Sequence, residues 1–460
     1  MEIFNFIYKE KKYLIFFVIL LFIIFFYLYW AFVSDITIDE ISYIYMYRDS
    51  QQPLLSYLAD YILHADHFPL CFSIKLFFFQ LFDNIIPLRI FSIICAIFIY
   101  FLIFKILKFK KFNLRDSLIF IILFVSSPLM FYHTVYFSYY YLAFLFLTLS
   151  FYYYLVKGKQ LISFVFLIFA IASHYFSIFF LAIFIIKKFK LKKDFIVYLF
   201  LVFIVIFSFY KFDKNFNSLN SGEGNFISIQ DNINPELNPD FSMVVKSIGN
   251  SLIFPGMYSP FTLKYFKNYI VSFICLLCML FLIYKNKNDI FVYTIPAFLL
   301  CFLIVSYYVK ITYGLLIFAP VRIFFVSVFA IISICYTFIK LRKFKIISLF
   351  IFVMILLLYL EGFLYIYQKG FEIQQTAEFI KNHKIIFTSF AKEFDGKFDF
   401  KNMIEYYLKD NYVNKKGEQY FLVLKHGDFN ISKKGKEYKL VYNSNLFQIY
   451  SLFPKSSLLK

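Results

Sequence analysis

Long apolar runs alternate along the chain with short polar turns, a pattern typical of helices that cross a membrane. The first run, Tyr13–Val33, has the roughly 20 apolar residues that a bilayer requires. Lys9, Lys11 and Lys12 precede it, and no small-residue cleavage site follows it. We therefore predict a retained transmembrane helix here and not a signal peptide, with the N-terminus in the cytoplasm.

Charge placement decides how the next two apolar runs are arranged. Lysine and arginine collect in short cytoplasmic loops, and a basic cluster from Lys105 to Arg115 surrounds the end of the run Pro87–Phe109. If both Pro69–Phe82 and Pro87–Phe109 crossed the membrane, that cluster would lie outside. Pro69–Phe82 is short and carries Lys75, so it is predicted to be an interfacial helix on the outer surface.

The same rule divides the run Leu161–Ile186 into two short helices. As a single helix, it would place Lys187, Lys188 and the basic residues after them outside. A turn near Ser173 and His174 keeps those bases in the cytoplasm and leaves His174 at the outer face. Continued along the chain, this reasoning predicts about eleven spans, at 11–33, 86–109, 116–132, 138–156, 160–172, 175–187, 194–212, 267–284, 289–309, 312–339 and 346–367.

Three segments are predicted to lie outside the membrane on the outer side. Residues 34–85 carry seven acids and only two bases, and residues 213–266 are polar, with stretches rich in Asn, Ser, Gly and Pro. Residues 368–460 form a tail with the composition of a soluble domain. The predicted fold is a polytopic α-helical membrane domain, residues 1–367, followed by the tail.

The tail is predicted to be a small α/β domain. Its segments Ile373–His383 and Phe400–Leu408 have helical patterns. Three further segments are β-rich and partly alternating, which predicts strands at Tyr420–Leu424, Tyr438–Tyr442 and Leu446–Leu452.

Composition agrees with a membrane protein and excludes other classes. Of 460 residues, 62% are hydrophobic and only 16% are charged, with a mean hydropathy of +0.72. Soluble domains are about half apolar and a quarter charged. The net charge of +19 would suggest nucleic-acid binding in a soluble protein. The predicted cytoplasmic segments hold 21 bases and 5 acids, so most of this net charge lies on one side of the membrane and indicates orientation instead.

Cysteine usage and composition favour a bacterial inner membrane. All six cysteines lie in or beside apolar runs, so the predicted exported segments have no disulfide. Phe, Tyr, Ile, Lys and Asn are abundant. The predicted location is the inner membrane, with the tail in the periplasm.

The first outer loop holds the carboxylates that could perform chemistry. Asp39 and Glu40 follow the first span, and His64, Asp66 and His67 come later in the same loop. Paired carboxylates can act as a base toward a hydroxyl or amine or bind a divalent cation, and His64, Asp66 and His67 could join them in a metal site. The alternative is that outer loops are acidic only because bases are excluded from them.

Ionisable residues in or near the spans are a second set of candidates. Burying such groups in a membrane is costly, so each is a functional hypothesis by default. Arg322 follows Pro320 within a predicted span, where a broken helix could expose it to a cavity; the alternative is an ion pair with Glu361 or with another helix. The full set is Arg89, His133, His174, Arg322 and Glu361.

Several of these segments, in this order, resemble the GT-C glycosyltransferases, most closely the protein O-mannosyltransferases and the bacterial lipid A aminoarabinose transferases. The resemblance covers about residues 10–340 and weakens in the tail. One departure is that Phe137 and Ser138 stand before Tyr139, where the family often has an arginine. The similar elements are Asp39-Glu40, His67-Phe68-Pro69-Leu70, Pro87-Leu88-Arg89-Ile90, Ser127-Pro128 with Tyr132 and Tyr139, His174-Tyr175 and Pro320-Val321-Arg322.

The resemblance implies transfer of a sugar from a polyprenyl-phosphate donor to an acceptor at the outer membrane face, with inversion. It assigns Asp39 as the catalytic base and Glu40 as its assistant. A divalent metal stays open, and the acceptor is a glycolipid, a surface glycan or a protein. The implied phosphate-binding residues are His67, Arg322, His174, Lys75 and Arg89, and the implied substrate-positioning residues are Asp66, His64 and Tyr139.

Two other functions are compatible with the sequence. A transporter, such as a flippase of lipid-linked sugars, would have charges lining a path across the membrane and inverted repeats. Instead, the acids collect in one outer loop and the predicted spans contain few charges. A non-catalytic GT-C relative is the other alternative, because loss of a family arginine can accompany loss of chemistry.

Overall fold

The structure is a computed structural model of the chain. It describes residues 14–34, 40, 53, 56, 69–174, 177, 180, 267–286, 324–369, 372–382, 420–424, 438–443 and 447–452. The chain divides into two compact units. The first comprises residues 1–33, 52–217 and 238–366, and the second comprises 34–51, 218–237 and 367–460.

The described part of the first unit is a helical bundle. Helices α2 and α3 have the bounds expected from the sequence, because proline stands at or near the start of each and a polar turn follows each. The helices are α1 Leu14–Val33, α2 Pro69–Phe82, α3 Ile86–Phe109, α4 Leu114–Val125, α5 Pro128–Val135, α6 Tyr139–Leu155, α7 Gln160–Ser173, α8 Lys267–Lys285, α9 Phe324–Leu341 and α10 Lys345–Lys369.

The described residues of the second unit include a further helix, α11, and a small sheet. Helix α11 runs from Glu372 to Asn382. The strands are antiparallel in the order β1-β3-β2, with Leu422 opposite Ile449 and Leu440 opposite Tyr450. They lie within a residue of the predicted strand positions, at Tyr420–Leu424 (β1), Tyr438–Asn443 (β2) and Phe447–Leu452 (β3). The separate α/β domain, 368–460, stays a prediction.

Among the described residues, four helical segments are long and apolar enough to cross a membrane. The chain is therefore a helical membrane protein. The total of eleven spans stays a prediction, since 194–212, 289–309 and most of 175–187 lie outside the described residues. The four segments are Phe16–Val33, Ile86–Phe109, Phe324–Leu341 and Lys345–Leu364.

The predicted span 116–132 is not one straight helix. Helices α4 and α5 meet at an angle of 67°, so the pair is a broken span or a re-entrant segment. The bend has a local cause at Ser127 and Pro128. The Ser127 hydroxyl accepts a hydrogen bond from the Met130 amide (3.3 Å) and donates one to the Phe124 carbonyl (2.9 Å), while Pro128 starts the new helix.

The predicted spans 138–156 and 160–172 correspond to α6 and α7, which are 17 and 14 residues long. They form an antiparallel hairpin, in which the Ser163 hydroxyl donates to the Ser150 carbonyl at 2.7 Å. Gly158 lies in the turn between them with φ +64°, a conformation that glycine adopts without strain. Each helix is shorter than the roughly 20 residues a straight span needs.

The start of α4 is fixed by a side-chain cap, which leads to a first prediction. Asn113 accepts a hydrogen bond from the Asp116 amide at 2.8 Å. Replacing Asn113 with alanine should lower the stability of the protein by about 1 kcal/mol, because the amide loses its acceptor. Thermal unfolding in detergent measures the effect. Asn113→Ser keeps an acceptor and is the control; equal melting of Asn113→Ala and the wild type would contradict the capping role.

Candidate functional site

Arg89 is held at the start of α3 by the end of α1. Its side chain is buried, with 1% of its surface exposed, and its Nη1 donates to the Ala31 carbonyl at 2.9 Å. The guanidinium carbon also lies 5.0 Å from the centre of the Tyr136 ring, and the Trp30 indole donates to the Tyr136 hydroxyl at 3.0 Å. A buried charge needs such partners, so the contacts fix its position.

His133, on α5, is fully buried beside the start of α9. Its Nδ1 lies 3.0 Å from the Ser138 hydroxyl, and its ring packs edge-on against Phe324 with centres 4.5 Å apart. The other ring nitrogen, Nε2, is buried and has no hydrogen-bond partner among the described residues. Because buried polar atoms are nearly always hydrogen-bonded, Nε2 is an unusual feature and a candidate ligand-binding atom.

The next residue along α5, Thr134, fixes the orientation of His133. The Thr134 hydroxyl lies 2.9 Å from the hydroxyls of both Tyr100 and Tyr141, and all three are buried. These bonds join α5 to α3 and α6. The rotation of α5 about its axis is therefore constrained, and with it the direction of the His133 ring.

Ser138, directly before α6, makes two hydrogen bonds through its hydroxyl. Its hydroxyl caps α6 by accepting a hydrogen bond from the Tyr141 amide at 3.3 Å, and it contacts His133 Nδ1. A neutral hydroxyl therefore serves both as a helix cap and as the partner of a histidine at this point of the chain.

His174 directly follows α7 and is buried against α6 and α9. Its ring packs on that of Tyr140, with centres 4.3 Å apart and planes inclined by 32°. It also lies 6.4 Å from the Phe325 ring. Tyr140 in turn is 6.4 Å from the His133 ring, so one tyrosine lies between the two histidines.

These residues come together at one end of the bundle. Arg89 lies at the start of α3, His133 near the end of α5, and His174 after the end of α7. The Tyr136 ring packs against that of Tyr132, with centres 4.7 Å apart and planes inclined by 53°, and the Tyr132 ring packs edge-on against His133. Ring contacts therefore connect Arg89 with His133. We call Arg89, His133 and His174 with the tyrosine rings between them the buried cluster.

Lys75, on α2, is also buried, with 3% of its surface exposed. Helix α2 packs against α3, α6 and α7. Its opposite face is apolar and exposed at Phe77, Leu81 and Phe82. The helix therefore buries its only charged residue and presents aromatic and aliphatic side chains outward, which suits contact with lipid.

The remaining predicted site residues are described in part. Glu40 belongs to the second unit and is buried, while Tyr139 begins α6 and only its backbone is described. No three His, Cys, Asp or Glu side chains in the described part of the chain are grouped to hold a metal ion. Outside the described residues lie Asp39, His64, Asp66, His67 and Arg322.

Tyr136 was not among the candidates from the sequence, and His133 was a candidate without an assigned role. His133 stands in an otherwise apolar run, which made it a functional hypothesis, but no motif indicated what it does. Tyr136 is one of 40 tyrosines, and its contacts with Arg89 and Trp30 join residues 47 and 106 positions away in the sequence. Only the packing of the helices identifies it.

No family model, curated protein or solved structure matches the chain. The resemblance to GT-C glycosyltransferases therefore stays a prediction from the motifs, and the geometry of the buried cluster must be interpreted on its own chemistry.

Proposed function

We propose that this protein is a membrane glycosyltransferase that moves a sugar from a polyprenyl-phosphate donor to an acceptor at the outer face of the membrane. The observation that supports it is the buried cluster, which gathers an arginine and two histidines from separate helices at one end of the bundle. Such groups are costly to bury, and binding an anionic ligand at membrane depth would explain why they are there.

The proposed orientation follows from the opposite end of the bundle. There residues 108–116 and 340–345, around the turn between α3 and α4 and the turn between α9 and α10, carry eight bases and one acid. With basic turns in the cytoplasm, the start of α3 and the end of α5 face outward. This is the side on which Asp39, eight residues after Ala31 in the sequence, is predicted to act.

The buried cluster would stabilise the leaving phosphate of the donor. Fixed cations and hydrogen-bond donors act strongly on developing negative charge in a site that excludes water. Arg89 is fixed by Ala31 and Tyr136, and His133 offers a buried Nε2 atom. Arg322 stands two residues before Phe324 in the sequence, the residue whose ring contacts His133, and is proposed as a further phosphate ligand.

Asp39 is proposed as the general base. It would accept the proton of an acceptor hydroxyl or amine as that atom attacks the anomeric carbon. The bond between this carbon and the phosphate oxygen breaks in the same displacement, and the phosphate leaves with the electron pair. A single displacement inverts the anomeric centre. Glu40 is proposed to assist Asp39.

The purified full-length protein, reconstituted in liposomes, tests the proposal. With radiolabelled polyprenyl-phosphate sugars and a membrane glycolipid extract as acceptor, we expect labelled product and release of polyprenyl phosphate in equal amounts. Movement of labelled lipid across the bilayer without a new glycosidic bond would identify a flippase instead. A complete panel of hexose and pentose donors that yields no bond formation would contradict the proposal.

A further inference from the structure

Two turns far apart in the sequence form one basic surface at the end of the bundle away from the buried cluster. Arg342 forms an ion pair with Asp116. The Lys340 ammonium lies 5.0 Å from the centre of the Phe112 ring, and this ring lies 6.0 Å from that of Tyr336. We call residues 108–116 and 340–345 the basic rim.

The backbone of the first turn holds its lysines in a defined arrangement. Lys111 has φ +61°, in the left-handed region, and its amide donates to the Lys108 carbonyl at 3.0 Å. The Phe112 amide donates to the Leu107 carbonyl at 3.1 Å, and Asn113 then caps α4. The turn between the end of α3 and the start of α4 therefore has only four residues. It brings the lysines at the end of α3 close to the arginine at the start of α4.

The basic rim has a large excess of positive charge. It contains eight lysines and arginines but one acid, Asp116, and that acid is already bonded to Arg342 and to the Asn113 side chain. Lys111 and Lys343 are exposed. Clustered like charges repel one another, so this surface suits an anionic partner that neutralises them.

Exposed apolar side chains lie directly beside these bases. Phe109 is 50% exposed, Phe344 is 60% exposed and Ile346 is 85% exposed. They continue into the exposed apolar faces of α3 and α10. A partner that matches both features has a negative head and an apolar tail. The phosphates of a nucleic acid would contact the lysines and arginines, but its backbone would leave the aliphatic and aromatic side chains exposed.

We propose that the basic rim binds the headgroup of an anionic phospholipid, with its acyl chains along Phe109, Phe344 and Ile346. The phosphate would lie between the two turns, within reach of Lys111 and Lys343. Basic pockets between transmembrane helices bind acidic lipids in this way. The proposal does not depend on sugar transfer, since it concerns the opposite end of the bundle.

The test compares lipid retention by full-length protein purified in detergent. Native mass spectrometry would count phosphatidylglycerol or phosphatidylcholine, with identical acyl chains, bound to the wild type and to two double variants. K111Q/K343Q removes two exposed bases of the basic rim, and K157Q/K159Q removes two exposed bases of the turn between α6 and α7. Loss of two rim bases should weaken phosphatidylglycerol retention roughly tenfold or more, with little effect of K157Q/K159Q.

Three results would overturn the proposal. Equal retention of the two lipids by the wild type would exclude recognition of the negative headgroup. An equal loss of phosphatidylglycerol retention in K111Q/K343Q and K157Q/K159Q would show that the lipid is attracted by any exposed lysines and not bound at a specific site. Displacement of phosphatidylglycerol by short single-stranded DNA would make the basic rim a nucleic-acid surface.

Discussion

Replacing Asp39 with asparagine is expected to lower sugar transfer by about 10²- to 10⁴-fold, the usual contribution of a general base. The amide has the size of the carboxylate but cannot accept the acceptor's proton. Production and membrane insertion should be unchanged, because the substitution removes one charge from an outer loop and leaves every apolar run intact. The measurement is kcat/KM for labelled donor in liposomes.

Asp35 provides a matched control for Asp39. It lies in the same loop, four residues earlier, so Asp35→Asn makes the same charge change without removing the assigned base. We expect this variant to keep most of its activity, whereas Glu40→Gln should have an intermediate effect. Full activity of Asp39→Asn would remove Asp39 from the mechanism, and equal losses in both aspartate variants would indicate an effect of loop charge.

Replacing Arg89 with alanine is expected to destabilise the protein by about 1.5–3 kcal/mol, the range for a hydrogen bond to a charged group. The Ala31 carbonyl loses its 2.9 Å donor, and the Tyr136 ring loses the guanidinium that packs on it. Because these contacts join α1 to α3, the end of α1 should loosen. Thermal unfolding in detergent without donor lipid measures the effect.

Two variants separate the structural and the phosphate-binding roles of Arg89. Arg115→Ala, at an exposed arginine, should change stability by no more than about 0.5 kcal/mol. Arg89→Lys keeps the charge but loses the planar fork that binds phosphate in two places, so it should retain most of the stability and bind donor more weakly. Wild-type melting of Arg89→Ala would contradict the structural role.

Much of the helix arrangement was predictable from local sequence. The bounds of α2 and β1 were predicted to the residue and those of α3 to within one. Prolines, lysines and β-branched or aromatic residues mark where such a run begins or ends. The break between α4 and α5 was missed, although Ser127 and Pro128 signal it. It was missed because apolar residues continue on both sides of the Ser127 cap, so the run looked like one helix.

The candidate site was less predictable. Arg89, Lys75 and His174 were selected as charged or polar groups beside apolar runs, and all three are buried. The contacts that position them could not be inferred, since Arg89 depends on a carbonyl 58 residues away and on one tyrosine among many. Membrane burial penalises every polar group in the same way, so composition shows which residues need partners but does not show which partners they have.

By itself, the sequence determined that this is a helical membrane protein and where its bases and acids lie along the chain, because the length and polarity of a run are local properties that a bilayer selects. Only the tertiary structure decided which helix ends meet. It brought Arg89, His133 and His174 together at one end and joined Asp116 to Arg342 at the other. These groupings depend on side-chain packing between helices distant in sequence, which no local pattern encodes.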